Sequence, residues 1–183
     1  MENDGGGWMV IGRREDGSVN FDREWDDYKF GFGFLAGEFW AGNELVHKLT
    51  NAGRTYTLRV DLSNYAGESV YAKYSNFSVG PESDNYRLHV TGYDTSSSAS
   101  DKLGEHDGCM FSTASKDNDA HESRCFAALY GAPWWYCLNR DVIFTGLYGE
   151  HSTIPSGKKG IRWYKPWGLK IYAKQGVMMI RPN

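Results

Sequence analysis

Tyr56-Thr57-Leu58-Arg59-Val60-Asp61-Leu62 alternates apolar with polar side chains. A period of two puts Leu58, Val60 and Leu62 on one face and Arg59 and Asp61 on the other, the pattern of a strand buried on one side. Tyr86-Arg87-Leu88-His89-Val90 repeats the pattern, and Tyr71 to Tyr74 between them is placed to pair with either. Strands that bury a single face belong to antiparallel sheets.

Working outward toward the amino end, Trp8 to Arg13 reads as a strand, followed by a turn at Asp16-Gly17-Ser18. Asp22 to Tyr28 carries Trp25 and Tyr28 three apart, as a short helix with one buried stripe would. A second short helix is expected over Asn43 to Leu49, with Asn43 as its cap and Leu45 and Leu49 sharing a face. Toward the carboxy end, Asp94 to Ser100 is small and polar, a surface loop. From there to about residue 168 the sequence is dense in Gly, Asp, Asn and aromatics, with no sustained period. Val177-Met178-Met179-Ile180 then reads as a strand returning to the sheet. The expected class is α+β, one domain over 1–183. About 1–100 and 170–183 would form a sheet-and-helix half, and about 101–169 a loop-rich half. Long irregular segments in compact domains are usually functional or stapled by a metal.

The 183 residues carry a formal net charge of −3, and 15% of them are aromatic. No basic stripe suits nucleic acid, and no apolar run approaches the roughly 18–20 residues that span a bilayer. Catalytic signatures are absent too: there is no G-x-S-x-G elbow, H-E-x-x-H pair, P-loop or dinucleotide fingerprint. His106 beside Asp107 lies three residues from Cys109, a spacing that by itself does not make a nucleophile. A non-enzymatic role is expected. Met1 to Trp8 has no positive n-region or apolar h-region, so it is not a signal peptide. The three cysteines, Cys109, Cys125 and Cys137, contain no C-x-x-C pair and exclude a zinc ribbon. In an oxidising compartment they leave one thiol over, or one whose partner lies outside this sequence; in a cytosolic protein all three stand as unconnected buried thiols.

Ten short stretches in order resemble the fibrinogen-related domain family. They include Gly5-Gly6-Gly7-Trp8, Phe30-Gly31-Phe32-Gly33, Gly37-Glu38-Phe39-Trp40, Asp84-Asn85-Tyr86-Arg87-Leu88, Asp117-Asn118-Asp119, Trp134-Trp135 and Met179-Ile180-Arg181-Pro182. The resemblance implies a twisted antiparallel sheet with short helices and a loop-rich calcium-binding recognition subdomain. It also implies that an amino-terminal subdomain normally precedes Gly5, so a piece of a longer, secreted, oligomeric protein is expected. Two subgroups stand out, invertebrate-type lectins and angiopoietin-like proteins. The implied ligands are glycans or microbial cell-wall components, with a protein receptor as the alternative.

The family's calcium site maps onto the carboxylates of Asp117 and Asp119 and the main-chain carbonyls of His121 and Ser123. A hard cation takes six to eight oxygens, which alternate residues of a curved loop can supply. The family disulfide maps onto Cys125 and Cys137, which leaves Cys109 unpaired. In many lectin members the second cysteine lies four residues after the double Trp and is followed by His. Here Cys137 comes two residues after Trp135, and the Cys-His positions hold Asn139 and Arg140. The family's acetyl pocket also uses a Tyr-Ala pair, replaced here by Gly157-Lys158. Lys158, Lys159, Arg140 and Arg162 together suggest an anion-binding patch. The ligand residues expected are therefore Tyr130, Asn139, Arg140 and Lys158. Trp134 and Trp135 are assigned to packing; Trp163 and Trp167 are of a kind more often core than sugar-stacking platform, while Tyr130, Tyr148 and Tyr164 are the better candidates for a wet surface. Asn76-Phe77-Ser78 satisfies the N-glycosylation sequon.

Overall fold

The computed structural model describes residues 5–138, 140–165 and 170–183. In sequence order the elements are β1 (Met9–Arg14), α1 (Trp25–Phe30), β2 (Phe32–Gly33), β3 (Phe39–Trp40), α2 (Asn43–Thr50), β4 (Tyr56–Asn64), β5 (Ser69–Val79) and β6 (Leu88–Tyr93). The loop-rich part holds β7 (Phe111–Ser112), α3 (Phe126–Tyr130), β8 (Trp134–Trp135) and β9 (Arg162–Tyr164). The long strand β10 (Lys170–Pro182) follows.

The main sheet runs β2-β3-β1-β10-β4-β5-β6, with β9 also pairing β10, and every pair in it is antiparallel. The period-two reading of β4 holds: Leu58, Val60 and Leu62 are buried, while Arg59 and Asp61 face outward. β5 pairs β4 along one edge and β6 along the other. β6 begins at Leu88, two residues later than the sequence pattern suggests. Asn85 and Tyr86 take positive φ (51° and 49°), a conformation that turns the backbone instead of extending it. Tyr86 is nonetheless fully buried, with its hydroxyl donating to Glu44 at 3.0 Å.

The helices depart from expectation in detail. In α2 the buried residues are Asn43, Val46 and Thr50, whereas Leu45 is exposed. Asn43 does not cap; its Oδ1 accepts from Trp40 Nε1 at 3.0 Å. A buried indole N–H demands an acceptor, and that demand overrides the cap preference.

One buried ion pair joins the two halves of the molecule. Arg14 and Glu38 are 2% and 1% exposed, with Nε and Oε1 3.4 Å apart. Arg14 Nη1 donates to the carbonyls of Phe144 (2.9 Å) and Gly146 (2.7 Å) in the loop-rich half, and its guanidinium lies 3.9 Å over the Phe21 ring. Glu38 accepts from the amides of Glu15 and Val19, both at 2.9 Å. Trp134 and Trp135 are at most 1% exposed, which bears out their assignment to packing, and Trp163 is buried with them; Trp167 lies outside the described residues.

Candidate functional site

The loop from β7 to α3 folds on its own carboxylates. Asp117 Oδ1 accepts from the Asp119 amide at 3.1 Å. Asp119 in turn accepts from the amides of His121 and Phe126, both at 2.8 Å. The His121 ring is used inside the loop, where Nδ1 accepts from the Ser123 amide at 3.2 Å. Burial pushes the Asp119 carboxyl up; the amides of Phe126 and His121 oppose this, and the charge of Asp117 adds to it. Two carboxylates held together in this way gain from a cation. Oxygens of Asp117 and Asp119 and the sulfur of Cys125 lie within 4.8 Å of one another. Burial also pushes the Cys125 thiol up, which keeps it protonated and favours the oxygen donors. That donor set fits a hard ion such as calcium.

The disulfide is a correction. Cys109 bonds Cys137, with Cα atoms 5.4 Å apart, and Cys125 is free. The cause is strand register. β7 and β8 pair antiparallel with Phe111 opposite Trp135 and Ser112 opposite Trp134. Two further residues along each strand in the same register bring Cys109 opposite Cys137. Cys125 instead stands at the start of α3, its sulfur 3.6 Å from the Thr113 carbonyl. The displacement of Cys137 toward Trp135 was visible in the sequence. What it meant required knowing that Phe111 pairs with Trp135.

Next to the acidic loop lies a cleft of about 590 Å³ lined by Tyr130, Leu138, Arg140, Asp141, Lys159 and Arg162. α3 supplies Tyr130, whose ring is buried, not wet, and stacks on Phe126 with centroids 5.5 Å apart. Its hydroxyl accepts from Arg140 Nη1 at 3.2 Å. Arg140 lies over the Phe126 ring at 4.8 Å, and Lys159 Nζ over the Tyr130 ring at 5.4 Å. Aromatic faces thus hold both cations at the cleft.

The opposite wall is fixed by backbone. Ile143 and Arg162 exchange two hydrogen bonds (3.1 and 2.8 Å), and the Leu147 amide donates to the Lys159 carbonyl at 2.9 Å. Gly146 permits this approach: a Cβ there would fall 2.4 Å from the Gly160 backbone. Arg162 is only 8% exposed; Nη2 donates to the Arg140 carbonyl, and its buried Nε has no hydrogen-bond partner. Burial pulls Lys159 down, and the positive charges of Arg162, Lys170 and Arg140 add to the effect. Three cations, Arg140, Lys159 and Arg162, face one carboxylate, Asp141, in this lining, which leaves the cleft net positive and suited to an anion.

Of the expected ligand residues, Tyr130 and Arg140 line this cleft. Lys158 does not, because its ammonium donates to the Ala128 carbonyl at 3.0 Å. Asn139 lies outside the described residues. Lys159 and Arg162 were legible as charge, but only the pairing around Arg162 turns them to the cleft. Tyr148 and Tyr164 are half-buried and lie elsewhere.

A long antiparallel sheet with a loop-rich half that carries the cleft and the acidic loop is the arrangement of a fibrinogen-like globe domain. The fibrinogen-like globe domain of human ANGPTL2 superposes with a TM-score of 0.91 at 38% identity, covering 100% of this chain and 83% of that one. The chain belongs to the family described as fibrinogen beta and gamma chains, C-terminal globular domain, whose profile matches residues 1–183. Ryncolin-4 of Cerberus rynchops is 42% identical over 185 residues, and Angiopoietin-4 of Bos taurus is 42% identical over 183. Both alignments cover the whole sequence but only 52% and 36% of the relatives, so it spans about half of their length or less.

Proposed function

We propose that this domain is an extracellular recognition module, not an enzyme, that binds anionic glycans or microbial surface polymers in the cleft beside a structural calcium ion. The carrying observation is the grouping of Arg140, Lys159 and the buried Arg162 around one cleft. Arg140 carries a planar guanidinium that matches a carboxylate or sulfate, Lys159 adds a point charge, and the buried Arg162 contributes positive charge from behind the wall. The Cys109–Cys137 bond supports an oxidising, secreted setting, and oligomerisation would come from upstream segments of a longer protein. On an array, carboxylated and sulfated glycans should be retained and neutral N-acetylated ones not. Arg140→Ala and Lys159→Ala should each weaken that binding at least tenfold, about 1.4 kcal/mol, with little change in melting temperature. Lys158→Ala should have a small effect. Retention of simple N-acetylated sugars, insensitive to both cleft variants, would sink this reading.

Calcium is proposed at Asp117 and Asp119, with the carbonyls of His121 and Ser123. Adding calcium should raise the melting temperature by mass action. The shift should vanish in Asp117→Ala/Asp119→Ala and survive in Cys125→Ser, because the sulfur is not needed by a hard ion. Superimposable melts in calcium and chelator would exclude the site.

A second reading, a protein-binding module, is supported by the likeness to Angiopoietin-4 and by Leu138, which is 70% exposed at the cleft rim. An array with no retained glycan, together with capture of an acidic peptide lost in Arg140→Ala, would favour it.

A further inference from the structure

We propose that Asn76 is an N-glycosylation site whose glycan is carried on β5, a strand that contributes nothing to the recognition cleft. Asn76-Phe77-Ser78 is the one N-x-S/T triplet in the 183 residues, and a sequon becomes a site when its amide faces water. Along β5 the buried residues are Val70, Ala72 and Tyr74, then Phe77 and Val79. The buried phase therefore changes across Ser75-Asn76, and both of these residues are exposed.

Asparagine is a poor strand former. Its place inside an 11-residue strand is a local conflict of the kind that marks function. The strand opposite accommodates the Ser75 and Asn76 side chains by carrying no side chain of its own at residue 92. Gly92 on β6 has φ +70°, and a Cβ there would approach Asn76 Nδ2 to 3.3 Å and Ser75 Oγ to 2.0 Å. Nδ2 donates to Ser75 Oγ at 3.3 Å, and a glycosylated amide keeps one N–H with which to do so. Phe77, 3% exposed, anchors the triplet in the core. A groove of about 210 Å³ lined by Arg54, Thr55, His89 and Thr91, together with Asn76 and Ser78, offers polar partners to the first sugar. None of the cleft residues comes from β5 or β6, so the glycan would leave recognition open.

The inference rests on the secreted reading, and the test separates the two. The protein is fused to a cleavable secretion leader, expressed in a eukaryotic host, and followed in cells and medium by intact mass. A mass increment on the leader-cleaved product should be removed by peptide N-glycosidase. It should be absent from Asn76→Gln and Ser78→Ala and kept by Ser78→Thr. Because the leader is supplied, an unmodified Asn76 in leader-cleaved protein overturns the site assignment itself. An increment that persists in Asn76→Gln overturns it equally. A natural protein kept in the cytosol would instead count against the secreted reading while the leader-driven result stood.

Discussion

Arg14→Ala should cost about 3–5 kcal/mol of stability, the range for removing one partner of a buried ion pair. Glu38 would remain 1% exposed with no counter-charge, and the carbonyls of Phe144 and Gly146 would lose their shared donor. Burial pulls the Arg14 guanidinium down and Glu38 opposes it, so the pair is held together against a desolvation cost. For a domain of this size the loss corresponds to a melting temperature lower by roughly 6–20 °C. Arg14→Lys should recover only part of it, since a single ammonium cannot reproduce the fork toward Glu38 and both carbonyls. Thermal melts of the two variants check this. A drop below about 1 kcal/mol, the scale of an exposed pair, would show that the junction is dispensable.

Cys109→Ser or Cys137→Ser should each cost about 3–4 kcal/mol in the chain-entropy account, given a sequence separation of 28. Cys125→Ser should be close to neutral, because it closes no loop. Non-reducing peptide maps of the wild type should join the peptides that contain Cys109 and Cys137. A map joining Cys125 to Cys137, with Cys125→Ser as damaging as Cys137→Ser, would restore the pairing expected from family resemblance.

The regular half was legible because period-two alternation is a local signal. Leu58, Val60 and Leu62 announced β4, and the short stretches around Trp8 and Met179 announced both its context and its family. Errors arose where a long-range contact decided. Asn43 turned toward Trp40, Tyr86 was drawn into a left-handed turn, and Cys137 was claimed by strand register. At the cleft, charge was visible but direction was not. Lys158 and Lys159 are equivalent in sequence, and only the pairing of Ile143 with Arg162 and of Leu147 with Lys159 turns one of them to the cleft. Charge belongs to a residue, whereas facing belongs to a backbone.

β10 lies between β1 and β4, so the last strand in the order is also the one on which the first and the middle strands both depend. Met9 pairs with Ile180, and Tyr56 with Pro182. During synthesis, β1 and β4 must wait with unpaired edges until more than a hundred further residues have been made. The domain therefore cannot close its sheet progressively on the ribosome. One edge of β1 and one edge of β4 stay open until that strand emerges, and an open edge is a template for pairing with another chain.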